Sequence, residues 1–225
     1  MRALVPTLAL VCACAAPARD QTGDDLGDDH GENPVAHELF DGATLSGWTL
    51  AELGGTEVFV DDGRIVLPQG TPLSGLVHAN PAVLPREGYE LVVRAARLAG
   101  TDFFLGLTFP IGTESATCIL GGWGGSLCGL SCIDGRDASA NETKTYRDFA
   151  PGVEVELRVA VTREAVTAWL DDEPLFRVAR DGRSFSTRTE VSPCGPLGLA
   201  AYQTRAAISR VSLVRRAPAP DRLDG

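Results

Sequence analysis

The sequence predicts one all-β domain of sandwich type, and three observations carry that prediction. Val153, Val155, Leu157, Val159 and Val161 alternate with Glu154, Glu156 and Arg158, and a period of two buries one face of a strand while wetting the other. Short apolar runs are separated by turn residues such as Asp61-Asp62-Gly63, where Gly supplies the positive φ a tight hairpin needs. No stretch repeats its apolar residues at the helical period between recognisable caps. Hydrophobic residues form 44% of the 225, enough for a domain that buries roughly 70% of its unfolded surface.

In chain order, the first element is a processing signal. Met1 and Arg2 precede a stretch from Ala3 to Ala13 that is apolar except for Pro6 and Thr7. It is too short for a bilayer span of ~20 apolar residues and fits the apolar part of a secretory signal within residues 1–18. Two cleavage sites compete. Val11-Cys12-Ala13-Cys14 resembles a bacterial lipobox that would leave Cys14 lipidated, whereas Ala16-Pro17-Ala18 suits ordinary signal peptidase. Residues 19–36 are acidic and polar, with too little apolar surface to fold. Such a spacer suits a domain held clear of lipid. The expectation is therefore an exported, membrane-anchored lipoprotein, periplasmic or on the outer surface, or else a secreted protein.

The folded part is expected over residues 37–215, with a frayed tail at 216–225. Glu57 to Val60 and Arg64 to Leu67 read as a hairpin, and Tyr89 to Leu98 and Phe103 to Phe109 as the next strands. The alternating strand at 153–161 follows. Ala165 to Leu170 and Pro174 to Val178 flank the turn Asp171-Asp172-Glu173, and Gly195 to Gln203 with Ala207 to Val214 close the sheet. Regular short strands with Gly and Pro turns point to a sandwich or jelly roll. The formal charge of −10 argues against nucleic acid, which requires a basic footprint. Beyond Cys12 and Cys14, the cysteines are Cys118, Cys128, Cys132 and Cys194. In an oxidising compartment they read as up to two disulfides or as buried thiols; a zinc site is the remoter reading, because paired C-x2-C knuckles are absent.

A family resemblance rests on particular blocks. HELFDGATLSGW, from His37 to Trp48, resembles the opening LFDGxTLxGW of the domain once called DUF1080, now the 3-keto-disaccharide hydrolase (3-keto-glycoside lyase/hydratase) domain. VFVDDGRI from Val58, WLDDEPLF from Trp169, GPLGL from Gly195 and the strand from Ile208 to Leu213 are similar to later blocks. LTFP from Leu107, GGWGG from Gly121, GLS from Gly129 and IDGRDASANET from Ile133 look like planctomycete-type members. The resemblance covers about residues 37–215. It implies a concanavalin A-like jelly-roll β-sandwich, export, and lyase or hydrolase action on 3-keto-glycosides. The chain departs from many members in lacking the mid-sheet Glu-x-Gln and the late Trp-Asn: Cys118 to Gly122 and Val153 to Leu157 stand there. The relatives' carboxylate and amide therefore have no counterparts at those positions.

A 3-keto-glycoside lyase removes the C2 proton beside the ketone, so it needs a base, support for the enolate oxygen and an acid for the leaving oxygen. The catalytic candidates are Asp134, Asp137 and Glu142, close together after a strand, and His78. Histidine is the side chain suited to proton transfer near neutral pH, but the plainer reading of His78 is a hydrogen-bonded strand histidine. Asp134, Asp137 and Asn141 form an oxygen-rich loop that could take a divalent metal such as Ca2+, or could simply be solvated. Trp123, between paired glycines, reads either as a sugar platform or as a core residue; Gly124, Asn141 and Thr108 join it as substrate-binding candidates. Aromatic faces take the C–H side of sugars while carboxylates and amides take the hydroxyls. Trp48 and Trp169 read as structural. No phosphate loop or nucleophile elbow is present. The expected partners are a carbohydrate and, through lipid, a membrane. A non-catalytic carbohydrate-binding module is the second reading, favoured by the missing family features, and a structural or protein-interaction domain the third.

Overall fold

The computed structural model of the protein describes residues 36–54 and 57–215. The leader with Cys12 and Cys14, the spacer up to residue 35 and the tail 216–225 lie outside the described residues. The strands in chain order are β1 Ala36–Glu38, β2 Trp48–Leu50, β3 Phe59–Asp61, β4 Arg64–Leu67, β5 Leu73–His78, β6 Tyr89–Gly100, β7 Leu105–Ile111 and β8 Glu114–Gly122. They continue with β9 Leu127–Ser131, β10 Thr145–Tyr146, β11 Glu154–Val161, β12 Ala165–Leu170, β13 Glu173–Ala179, β14 Gly198–Tyr202 and β15 Thr204–Arg215. A short 3-10 turn spans Thr189–Cys194.

The strands form two antiparallel sheets. The back sheet runs β13-β12-β11-β6-β15-β4-β3, with β1 on β15, and the front sheet runs β10-β9-β8-β7-β14-β5-β2. This is the expected jelly-roll sandwich. The turns follow local chemistry: Asp62 and Gly63 sit at φ 48° and 71°, and Asp171 and Asp172 at 49° and 65°. Positive φ at both central residues is what a two-residue hairpin of matching twist requires, and Asp and Gly tolerate it best.

Alternation sets the core. Leu157 pairs with Val93 and Val159 with Leu91 across β11 and β6, and all four are fully buried. From the front sheet, Leu105, Leu107, Phe109, Cys118, Leu120, Cys128 and Leu130 meet them. The opposite parity of the front sheet, including Thr108, Thr117, Ile119 and Ser131, turns outward. Trp48 is structural as expected: its Nε1 donates to the Leu39 carbonyl at 2.8 Å. Trp169 lies under the Arg158 guanidinium, 4.2 Å from the ring centroid.

Of the two readings of the cysteines, disulfides or buried thiols, buried thiols hold, and among the described residues no disulfide forms. Cys118, Cys128, Cys132 and Cys194 are all free thiols and all buried. Cys118 and Cys128 belong to the main core, whereas Cys194 lies in a second cluster on the outer side of the front sheet. They behave as small hydrophobes. Burial pushes the Cys128 thiol up to about 11 and Cys194 up to about 12, and raises Cys118 further. Nor do they form a zinc set: among the described residues no three His, Cys, Asp or Glu side chains gather as a metal would need.

Candidate functional site

The outer face of the front sheet is covered at both sides and open between. On one side the loop carrying Ala138 and Thr143 packs so closely that a Cβ on Gly129 would meet Thr143 Oγ1 at 2.9 Å. On the other, the turn ending at Cys194 lies against Gly198, where a Cβ would meet the Cys194 carbonyl at 2.3 Å. Side chains absent at these glycines let the two covers dock on the sheet. Between them opens a cleft of about 220 Å3, with Thr117, Ile119 and Ser131 on its floor and Trp123, Tyr202 and Arg188 around it.

Trp123 is placed there by an unusual turn. From the end of β8 into the turn before β9, positive φ recurs at Gly121 (75°), Trp123 (48°), Gly124 (94°) and Gly125 (112°). A bulky residue at positive φ costs on the order of 1–3 kcal/mol, and such outliers gather at functional sites. The result is an indole 43% exposed at the edge of a cleft. Phe103 and Tyr202 add an aromatic pair, with centroids 5.8 Å apart and planes tilted by 34°.

Charge enters through Asp102, Arg188 and Glu190. Arg188 donates to Asp137 Oδ2 at 2.7 Å and also pairs with Glu190; these contacts, Glu190 foremost, hold its guanidinium more firmly charged. Asp102 Oδ1 accepts the Phe103 amide at 2.7 Å, leaving the carboxylate a second oxygen.

The remaining sequence candidates separate. Asp137 reaches the cleft only through Arg188. Asp134 and Glu142 grip Arg183, each at 2.6 Å, and Arg183 lines a different depression of about 580 Å3 with Arg163, Arg180, Glu114 and Glu164. The Ser184 amide and Arg183 hold the Asp134 carboxyl below its ordinary range; the Glu142 main-chain amide and Arg183 do the same for Glu142. Asn141 donates to the carbonyls of Leu130 and Arg136 and accepts from Thr143, so it fastens its own loop. His78 binds Asn80 through Nδ1 and packs edge-on against Trp48 at 5.1 Å, away from the cleft. Thr108 is fully buried and shares a 2.9 Å hydrogen bond with Thr117, its cross-strand neighbour on the same face and one strand away from the floor. Gly124 sits in the Trp123 turn with no atom within 4 Å of where its Cβ would be. Tyr202, Asp102, Arg188 and Glu190 were missed by sequence reasoning, because they join the site from three separated segments: the turn before β7, the start of the 3-10 turn and the end of β14.

Asp134, Asp137 and Asn141 do not fit a Ca2+ site. Both Asp134 oxygens are engaged by Ser184 and Arg183, both Asp137 oxygens by Ser139 and Arg188, and Asn141 Oδ1 by Thr143. Ca2+ takes 6–8 oxygen ligands, and the Arg183 and Arg188 guanidinium groups already hold the cationic positions beside these carboxylates.

No protein-family model matches the chain, and no curated protein matches it. Solved structures do. The Crh5 transglycosylase in complex with NAG aligns at TM-score 0.56 and 12% identity, over 82% of this chain and 85% of that one. The VIP36 exoplasmic/lumenal domain in its Ca2+/Man3GlcNAc-bound form aligns at 0.54 and 12%, over 84% and 92%. Carbohydrate-binding module CBM66 from Bacillus subtilis aligns at 0.51 and 10%, over 75% and 95%. The shared feature is the fold. This chain is a jelly roll of the type found in lectins and carbohydrate-binding modules.

Proposed function

We propose that the chain is a carbohydrate-binding domain whose cleft seats one sugar ring against Trp123. The observation that carries this reading is the large indole held at positive φ and left 43% exposed beside the cleft. The face of Trp123 suits the C–H side of a pyranose, and Asp102, Glu190 and Arg188 offer acceptors and donors for its hydroxyls. At about 220 Å3 the cleft is smaller than the ~300–1,000 Å3 sites that enclose drug-sized ligands, which suits a terminal ring or one residue of a chain. The solved neighbours include a carbohydrate-binding module and a mannose-glycan complex, which supports the same class of ligand.

The lyase reading for 3-keto-glycosides keeps one structural support beyond the sequence resemblance: two carboxylates, Asp102 and Glu190, line the cleft and could exchange protons with a bound sugar. The lipobox at Cys14 and the acidic spacer support presentation of the domain from a membrane. The test titrates the full chain with glycosides, including a 3-keto-glucoside, while following Trp emission and aglycone release. Binding is expected to alter emission and to be lost in Trp123→Ala. Turnover abolished by Asp102→Asn or Glu190→Gln would make the domain an enzyme. An undiminished response in Trp123→Ala would place the ligand elsewhere.

A further inference from the structure

Strand parity puts Arg97 in the inward row of β6, after Leu91, Val93 and Ala95, where a sandwich ordinarily places an apolar side chain. Arg97 is 8% exposed. Its guanidinium carbon lies 5.3 Å from the Phe104 ring centroid and 5.8 Å from that of Phe149, within cation–π reach of both rings. Its partners are main-chain carbonyls rather than carboxylates. One terminal nitrogen, Nη2, donates to Gly125 at 2.6 Å, Gly121 at 3.2 Å and Asp102 at 3.3 Å, while Nε has no hydrogen-bond partner. Burial draws its pKa down, opposed by the charge of the nearby Asp102 carboxylate, which is not hydrogen-bonded to it.

These three carbonyls belong to the two turns that border the cleft. Gly121 and Gly125 bracket Trp123, and Asp102 precedes Phe103. The glycines make the arrangement possible: a Cβ on Gly121 would stand 2.2 Å from Arg97 Nη2, and one on Gly125 would stand 3.2 Å from Nη1. Buried main-chain acceptors need partners, and here one cation serves acceptors from both turns. Resting on the reading of Trp123 as the sugar platform, we infer that Arg97 is the positioning residue of the cleft: a buried guanidinium that ties the Trp123 turn to the Asp102 turn and preorganises the indole for its ligand. Lysine cannot replace it in full, because a point-like ammonium lacks the planar fork and the ring-stacking faces of guanidinium. Preorganisation of this kind strengthens binding by removing the ordering cost at association.

The test labels the full chain with 5-fluorotryptophan, which gives three 19F resonances, Trp123 being assigned by its loss in Trp123→Phe. Arg97→Lys and Arg97→Met are compared with Arg94→Met, a change on the exposed face of the same strand. The expected result is a Trp123 resonance that shifts and broadens in both Arg97 variants, while Trp48 and Trp169 keep their positions and Arg94→Met changes none of the three. A Trp123 resonance unchanged in a folded Arg97 variant would overturn the inference. So would collapse of all three resonances in both variants, since Arg97 would then support the whole sandwich rather than the cleft. The readout uses no sugar. If methyl glycosides leave the wild-type Trp123 resonance unmoved while the Arg97 variants disturb it, the carbohydrate reading fails and the positioning role stands.

Discussion

At the scale of single residues, Arg97 holds the Trp123 turn from within through the Gly121 and Gly125 carbonyls, at 3.2 and 2.6 Å. The glycines around Trp123 marked that turn in the sequence, yet much of their necessity lies underneath, in the Arg97 guanidinium that a Cβ on Gly121 would strike at 2.2 Å. No sequence pattern names the carbonyls that Arg97 holds. The cysteines carry the opposite lesson: count and compartment left disulfides and buried thiols both open, and strand parity decides for thiols by pointing Cys118 and Cys128 into an apolar core. Burial raises both thiols, Cys128 to about 11, and the thiolate is the reactive form. Cys118, Cys128 and Cys194 are therefore expected to resist iodoacetamide at pH 8 in the folded protein and to alkylate after urea unfolding, as read by mass spectrometry. Equal labelling rates in both states would contradict their placement.

At the scale of elements, the back sheet could be read almost directly. β11 was visible because Val and Leu alternate with charged residues, and β12 and β13 because the turn between them, at Asp171 and Asp172, was marked by its own composition. β8 and β9 were hard to see, because Gly, Thr and Ser replace the larger alternating residues where loops and the cleft lie against the sheet. β6 is the central strand of the back sheet, paired with β11 on one side and β15 on the other. Leu91→Ala, at a fully buried site on it, is expected to cost about 2–5 kcal/mol in urea unfolding; a loss below ~1 kcal/mol would mean the core is not packed around this strand. The Arg183 clamp makes a separate prediction. Asp134 and Glu142 titrate lower in the folded chain than unfolded, so their contribution is complete above the ordinary carboxylate range and disappears as pH falls through their lowered values. Asp134→Asn, which retains an acceptor for Ser184, is expected to lower the urea midpoint at pH 7 and to match wild type near pH 2. An equal deficit at both pH values would exclude the charge as its cause.

At the scale of the whole molecule, a closed sandwich core leaves the outer face of the front sheet free to carry function, and two loop covers narrow that face to one small aromatic cleft. The acidic loop singled out in the sequence divides its roles. Asp137 braces Arg188 at the cleft, whereas Asp134 and Glu142 secure a neighbouring surface through Arg183. The fold class followed from strand periodicity, but the site did not, because its walls come from five separated segments brought together by the jelly-roll connections. The most direct test is a crystal of the protein soaked with a neutral oligosaccharide that binds in solution. A sugar ring lying over the Trp123 indole, with its hydroxyls on Asp102, Glu190 or Arg188, is the expected result. A saccharide seated in the depression beside Arg163 and Arg180, with the Trp123 cleft empty, would contradict it.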